Sequence, residues 1–436
     1  MCLLKVRRSM VRTILSQLGG VSVRARRFFL VLCLAGAVGV FCLHNAMFSV
    51  KTWMKKDVLT SGTIVRNSPR LTSTISRASD EPSNSTIGNG ELYDSDILST
   101  RPINYLHSFK NPCWHERLKY GSNVTESRGN FHCLPYFFIA GFAKCASTDL
   151  YYRVIAHPEV VPPRGKECHW WTRERFDPKS SLRSFEDYLS FLQPATDQIF
   201  IESERQHNKF NRLVTVDASG STLWDNFYWR EIPENDASAE EPRFRNSHCL
   251  KHILPKAKFI VLLRNPTERM WSEYLYLSPM YGKNLSAVNF HDRAVESVTT
   301  FKLCLQTRSL NACLYDKDVI NTMRLRLHVG LYGPYIRRWL QVYPPDQCLF
   351  LQTEDYSKNL RQSLKRVFSF LDLVDLSDTE LDNIVSMTNR NQRFPESQEI
   401  GDMWNVTHQL LDQFYEASNR ELASILQDDR YLWKSN

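Results

Sequence analysis

Phe138-Ile139-Ala140-Gly141-Phe142-Ala143-Lys144-Cys145-Ala146-Ser147-Thr148-Asp149 is the stretch that decides the fold. An apolar run breaks at a glycine, then a lysine and two hydroxyls precede renewed helical sequence. That order predicts a strand, a phosphate-binding turn and a helix N-terminus, where successive amides and the helix dipole face an anion. Gly141 permits the tight turn, Lys144 brings a mobile positive charge, and Ser147 and Thr148 place hydroxyls beside the first helical amides. The triphosphatase pattern GxxxxGK[ST] is not met, because no glycine directly precedes Lys144. The plain alternative is a basic strand-helix turn with Lys144 facing solvent.

Outward from this loop, short apolar runs alternate with helical segments. Strands are predicted at 136–140, 212–217, 258–263 and 348–352, with helices near 148–156, 245–254, 266–276 and 330–342. Such alternation predicts an α/β domain with a central parallel sheet flanked by helices. Ligands of such sheets bind beyond the strands' carboxyl ends, where Gly141, Asp217 and Arg264 all fall.

The N-terminus reads differently. Residues 1–27 carry Lys5, Arg7, Arg8, Arg12, Arg24, Arg26 and Arg27 with no acidic residue, and 28–50 is apolar. About 20 apolar residues suffice to cross a bilayer, so the expectation is a cytosolic basic tail and an N-terminal transmembrane signal-anchor helix. A cleaved signal peptide is the rival, since Ala35-Gly36-Ala37 offers small residues. Residues 51–105, rich in Ser, Thr, Asn and charge, read as a lumenal stem, and 106–436 as the lumenal domain. Asn84, Asn123, Asn284 and Asn405 head glycosylation tripeptides. An oxidising compartment permits disulfides, and Cys304 with Cys313 would close a short loop. No Cys/His spacing suggests a metal site.

Two further segments carry chemistry. Lys258-Phe259-Ile260-Val261-Leu262-Leu263-Arg264-Asn265-Pro266-Thr267-Glu268-Arg269-Met270-Trp271-Ser272 sends a guanidinium fork from a strand end, with Ser272 about two helical turns beyond. A structural ion pair and a surface hydroxyl are the bland readings. Arg164-Gly165-Lys166-Glu167-Cys168-His169-Trp170-Trp171 combines a base, cations and aromatics.

With these segments in view, the chain resembles the Golgi carbohydrate sulfotransferases, over about residues 130–436. The resemblance implies a P-loop-like sulfotransferase fold and 3'-phosphoadenosine 5'-phosphosulfate as donor, with adenosine 3',5'-bisphosphate as product. Gly141, Lys144, Cys145, Ala146, Ser147 and Thr148 match the family's 5'-phosphosulfate loop, and Arg264 and Ser272 its 3'-phosphate ligands. Lys-Glu-x-His-Trp-Trp is most similar to the branch that adds 6-O-sulfate to N-acetylgalactosamine 4-sulfate in chondroitin and dermatan sulfate. That branch has proline where this chain has Cys168.

Sulfuryl transfer needs a base for the acceptor hydroxyl and positive groups for the leaving phosphate. Glu167 is the candidate base, with Lys144, Lys166 and His169 as catalytic partners. For His169 the competing reading, a loop-packing residue, has slightly the better claim, and Trp170 and Trp171 read as sugar-cleft or core residues. Asp217 and Ser219, from Asp217-Ala218-Ser219-Gly220-Ser221-Thr222, resemble the family's Asp-x-Ser segment near the cleft, with a helix cap as the alternative. Gly330-Leu331-Tyr332 opens a helix read as mainly structural.

The net charge of +8 owes much to the N-terminal arm. Arg164, Lys166, Arg173 and Arg175 suit a sulfated glycosaminoglycan acceptor. Golgi membrane attachment is expected, and nucleic acid and a catalytic metal are not; no oligomeric state is legible. A heparan sulfate or other glycan sulfotransferase and a non-catalytic lumenal glycan-binding protein are the competing readings.

Overall fold

The computed structural model describes residues 97–433, apart from 101, 117–129, 208, 278–284 and 391–399. These residues belong to one compact unit, Thr86–Asn436. Seven strands occur among them: β1 (Cys113–His115), β2 (Phe131–Cys133), β3 (Phe137–Gly141), β4 (Val160–Val161), β5 (Val214–Asp217), β6 (Lys258–Leu263) and β7 (Cys348–Gln352). β1 and β2 form an antiparallel pair in which the register partners Cys113 and Cys133 are disulfide-bonded. The other five form one parallel sheet in the order β4-β5-β3-β6-β7.

β3 is buried along its whole length, as a central strand covered on both faces must be. The chain leaves β3 toward β4 and β5 on one side and later toward β6 and β7 on the other. The crevice beyond the carboxyl end of β3 is therefore the topological switch point. The turns after β3, β5 and β6 meet there.

Helices cover the sheet. Among the longer ones are α1 (Ser147–Val154), α2 (Phe185–Arg205), α3 (Asn246–Ile253), α4 (Pro266–Tyr276), α5 (Ala287–Leu305), α6 (Tyr332–Leu340), α7 (Leu360–Phe370) and α8 (Asn405–Leu426). α2 starts with a full capping box, in which Ser184 and Asp187 satisfy each other's backbone amides. α4 starts on Asn265, whose Oδ1 accepts from the amides of Thr267 and Glu268, with Pro266 pre-set at the first helical position. The second disulfide joins Cys304 to Cys313.

One expectation is corrected. Residues 28–50, expected to span a membrane, lie outside the described residues together with the tail 1–27. Among the described residues no helix is long and apolar enough to cross a membrane. The structure supports an α/β domain whose parallel sheet is flanked by helices. The transmembrane signal-anchor, Golgi-membrane attachment and single-pass topology find no support in it and are not carried further. Asn84, Asn123 and Asn284 also lie outside the described residues. Asn405 is exposed at the start of α8, while Thr407 of its tripeptide is buried and bonded to Nδ1 of His291 at 2.8 Å.

Candidate active site

The loop after β3 takes a shape few side chains tolerate. Lys144 and Ala146 have left-handed backbones, with φ of 66° and 64°. Outside glycine such conformations cost about 1–3 kcal/mol each and gather at functional sites. α1 then begins at Ala146 with no side-chain cap, so no capping side chain claims its first amides. Gly141 faces the turn after β5: a Cβ there would meet the carbonyl oxygen of Gly220 at 3.4 Å and Trp224 at 3.8 Å, ordinary contact distances, while its φ of 155° is one that side-chain-bearing residues rarely adopt. Ser147 is buried, and Thr148 is half-buried beside it.

Lys144 does not face solvent. Its Nζ sits 3.5 Å from the ring centroid of Tyr276, on the last turn of α4. Burial lowers its pKa to about 8; Glu273 opposes that shift and Arg264 adds to it. Tyr276 lies one turn beyond Ser272 on the same helix, so Lys144 ties the two donor segments together. Ser272 is half-buried there. Arg264 emerges from β6 only a quarter exposed, with its nearest carboxylate, Glu268, 4.0 Å away.

A second tie runs through Tyr332. Its hydroxyl donates to the Arg264 carbonyl at 2.9 Å and lies 3.8 Å from Sγ of Cys145. The ring stacks edge-on against Phe142 at 4.6 Å. Cys145 is fully buried, and burial pushes its thiol up to about 11, so it fills space and offers no thiolate. Beneath Ser272, Glu273 is wholly buried between Arg269 at 2.5 Å and Arg326 at 2.9 Å. Burial would raise that carboxyl, but the two guanidiniums hold it near 2.

On the other side of the crevice stands Glu167. Its Oε1 accepts from Lys166 Nζ, and its Oε2 lies 3.4 Å from His169 Nε2. Desolvation pushes this carboxyl up, yet the His169 hydrogen bond and the Lys166 ammonium outweigh it and hold it near 2. His169 has a left-handed backbone, φ 53°. Its amide donates to Ser219 Oγ at 3.0 Å, and its Nδ1 pairs with Ser221 Oγ at 2.7 Å. Ser221 in turn meets Thr172 Oγ1 at 2.8 Å.

Gly220 joins the two halves. A Cβ at that position would stand 3.9 Å from Glu167 Oε1 and 3.9 Å from Ser147 Oγ. The carboxylate and the phosphate-loop hydroxyl are therefore no farther apart than the sum of those distances, with only a glycine between them.

Other expected site residues lie behind this surface. Trp170 and Trp171 are each 1% exposed, and Trp170 stacks on Tyr188 and donates to the Ser184 carbonyl at 3.0 Å. They belong to the core that supports the Lys166–His169 loop and do not line the open cleft. Asp217 is fully buried, accepting from Tyr188 at 2.9 Å and from the Ser219 amide at 2.9 Å. It braces the loop, and Ser219 holds the His169 backbone.

Sequence reading passed over Ser221, Thr172 and Glu273. Ser221 had a signal, as the second hydroxyl of the quoted Asp-x-Ser-Gly-Ser segment. Glu273 stands four residues after Arg269, the spacing of a helical ion pair. Thr172 gave no sign.

This fold and crevice define an α/β transferase of phosphate-linked groups. Comparison with known proteins makes the class specific. The sulfotransferase domain model matches residues 136–395. Carbohydrate sulfotransferase 15 of Mus musculus is 35% identical over 383 residues, covering 78% of this chain and 67% of its own. The Homo sapiens protein is 34% identical over the same shares. Bifunctional heparan sulfate N-deacetylase/N-sulfotransferase 2 of Homo sapiens is 23% identical over 60% of this chain and 24% of its own. The chain belongs to the sulfotransferase family, among its carbohydrate sulfotransferases. It is an enzyme that moves a sulfuryl group from 3'-phosphoadenosine 5'-phosphosulfate to a carbohydrate. The crevice fits such a donor: two cations, Lys144 and Arg264, flank uncapped helix amides where a polyanion is needed.

Proposed function

We propose that the acceptor is the 6-hydroxyl of N-acetylgalactosamine 4-sulfate in chondroitin or dermatan sulfate, and that Glu167 is the base. The acceptor reading rests on the Lys166-Glu167-x-His169-Trp170-Trp171 resemblance and the 35% identity to carbohydrate sulfotransferase 15; the role of Glu167 rests on its approach to Ser147 across Gly220, which sets a carboxylate beside the loop after β3. Glu167 takes the hydroxyl proton as the acceptor oxygen attacks sulfur. The new sulfur–oxygen bond forms as the bond to the 5'-phosphate breaks. Lys144 offsets the charge gathering on the leaving phosphate, and Arg264 and Ser272 hold the 3'-phosphate.

A carboxylate held near 2 is a poor resting base. Lys166 therefore has a second role in this reading. It moves from Glu167 toward the arriving sulfate groups, and the carboxylate regains basicity as it loses the ammonium. His169 donates through Nε2 to Glu167, which leaves Nδ1 to accept from the Ser221 hydroxyl, so the ring fixes where the carboxylate points. Lys144, Glu167 and their supports are all in place, which favours turnover over a binding-only protein. The N-sulfotransferase likeness, at 23% identity, is the weaker guide to the acceptor.

The test is transfer of labelled sulfuryl to defined chondroitin, dermatan and heparan oligosaccharides, with the product position determined. Absence of transfer to every galactosaminoglycan sinks the acceptor assignment. Glu167→Gln is expected to lower kcat by about 10²–10⁴-fold, and undiminished transfer removes it as the base.

A further inference from the structure

The edge strand β7 borders a concave groove of about 1060 Å³ whose walls are basic. Lys358, Arg361, Lys365 and Arg366 line it, over a partly covered apolar floor that includes Leu349 and Phe370. No acidic residue lines it. The helical period explains the stripe. In α7, Leu364, Val367 and Phe368 turn inward, which leaves Arg361, Lys365 and Arg366 on the outer face. The segment Leu360–Phe370 contains no Asp or Glu. An ordinary solvated helix face interleaves opposite charges four residues apart, and this one does not. Arg361 is bonded to Asp378 and Asp382, and Asp428 acts on Arg366 electrostatically. Lys358 and Lys365 are exposed, and no carboxylate among the described residues pairs with either.

We propose that this groove is a second binding site for a sulfated polysaccharide, holding a stretch of the acceptor chain away from the sugar that reacts. The proposal rests on the reading of the acceptor as a sulfated glycosaminoglycan. Repeated anions along a flexible chain match a row of cations, and sugar ring faces match an apolar floor. A membrane surface matches less well. An interfacial helix needs a protruding apolar face, whereas Leu349, Leu360 and Phe370 are partly covered.

The groove is fixed to the donor site by three bonds. Thr353 Oγ1 donates to the Cys145 carbonyl at 3.2 Å, and Tyr356 donates to Asp149 of α1 at 2.7 Å, both from the short helix that ends at Lys358. Arg153 of α1 donates to the carbonyl of Val385, another lining residue, at 3.2 Å. A chain held in the groove is thus tethered at a set distance from the crevice. That raises the local concentration of its other sugars without any new contact at the reacting one. Acceptors too short to reach both places gain nothing.

The experiment compares the full chain with Lys358→Ala/Lys365→Ala and with the charge-keeping Lys358→Arg/Lys365→Arg. Initial rates at saturating donor are measured on long-chain chondroitin sulfate and on a defined tetrasaccharide. Binding of the long chain is measured separately without donor. The Ala pair is expected to raise KM for the long chain about three- to tenfold with kcat unchanged. The tetrasaccharide KM stays put, and the Arg pair behaves as the parent. An equal rise on both acceptors, or no rise on the long one, overturns the proposal. So does loss of phosphatidylserine-vesicle binding in the Ala pair with the polymer unaffected. If the parent transfers to no glycosaminoglycan, the acceptor reading has failed by itself. Donor-free binding of the long chain then decides the groove: weaker binding by the Ala pair supports it, and unchanged affinity overturns it.

Discussion

Glu273 offers a sharp trial of how the donor side is held together. Its carboxylate is fully buried between Arg269, also fully buried, and the half-buried Arg326. Glu273→Gln keeps the shape and removes the charge, leaving a buried guanidinium with a neutral partner. Breaking one side of a buried pair costs about 3–5 kcal/mol. Unfolding entropy of about 2.1 cal/mol/K per residue, over roughly 300 ordered residues, converts that into a fall in melting temperature of about 5–8 °C. Replacing both partners, Arg269→Leu/Glu273→Leu, leaves only Arg326, which can turn to water. That double variant is expected to melt closer to the parent than the single one does.

The pH dependence has a definite sign. The folded pKa of Glu273 is depressed to about 2 from 4.5. Its stabilising contribution is complete above the unfolded pKa and is lost as pH falls from about 4.5 through 2. Glu273→Gln should therefore flatten the parent's loss of stability across that window. Calorimetric melts at pH 7, with urea midpoints from pH 5 to 3, supply the data. A Gln variant melting within a degree of the parent at neutral pH, with an unaltered acid slope, refutes the reasoning.

Three more outcomes follow from the geometry. Gly141→Ala should weaken donor binding and lower stability by about 1–3 kcal/mol, read by donor titration and urea unfolding, because its φ of 155° is a backbone conformation that side-chain-bearing residues rarely adopt. Lys166→Met should move the acid limb of kcat/KM upward, from near 2 toward the ordinary carboxylate range near 4.3, since Glu167 loses its ammonium partner; a limb that stays in place denies the coupling. Cys113→Ser/Cys133→Ser should cost about 3 kcal/mol by opening a loop with sequence separation 20, measured as the shift in urea midpoint.

The strand-turn-helix frame of the proposed donor side was legible because it is contiguous. β3 with its loop and α1, and β6 with Arg264 and α4, each place strand, turn and candidate ligand in one run of sequence. The parallel sheet followed from the same apolar runs, and the observed strands at Phe137–Gly141, Lys258–Leu263 and Cys348–Gln352 lie within a residue of expectation. β4 is two residues long and too short to show any period. α2 carries Pro194 in its interior, a residue that argues against a helix.

What no local pattern reveals is which distant residue completes a charge or a hydrogen bond. Trp170 and Trp171 have the composition of a sugar platform, yet Tyr188 and the Ser184 carbonyl claim Trp170 from within the core. The same limit bears on the base. Lys166 and Glu167 adjoin in sequence, but the carboxylate's protonation also depends on His169, whose ring is set by Ser221, 52 residues away. Gly220, between Ser219 and Ser221, lies between the proposed base and the loop after β3. A methyl there would meet Glu167 and Ser147 only at ordinary contact distance, but a larger side chain must displace both, so Gly220→Leu should disturb both donor affinity and acceptor turnover. A variant that altered only one of them would show that the two halves are not packed against each other as the structure places them.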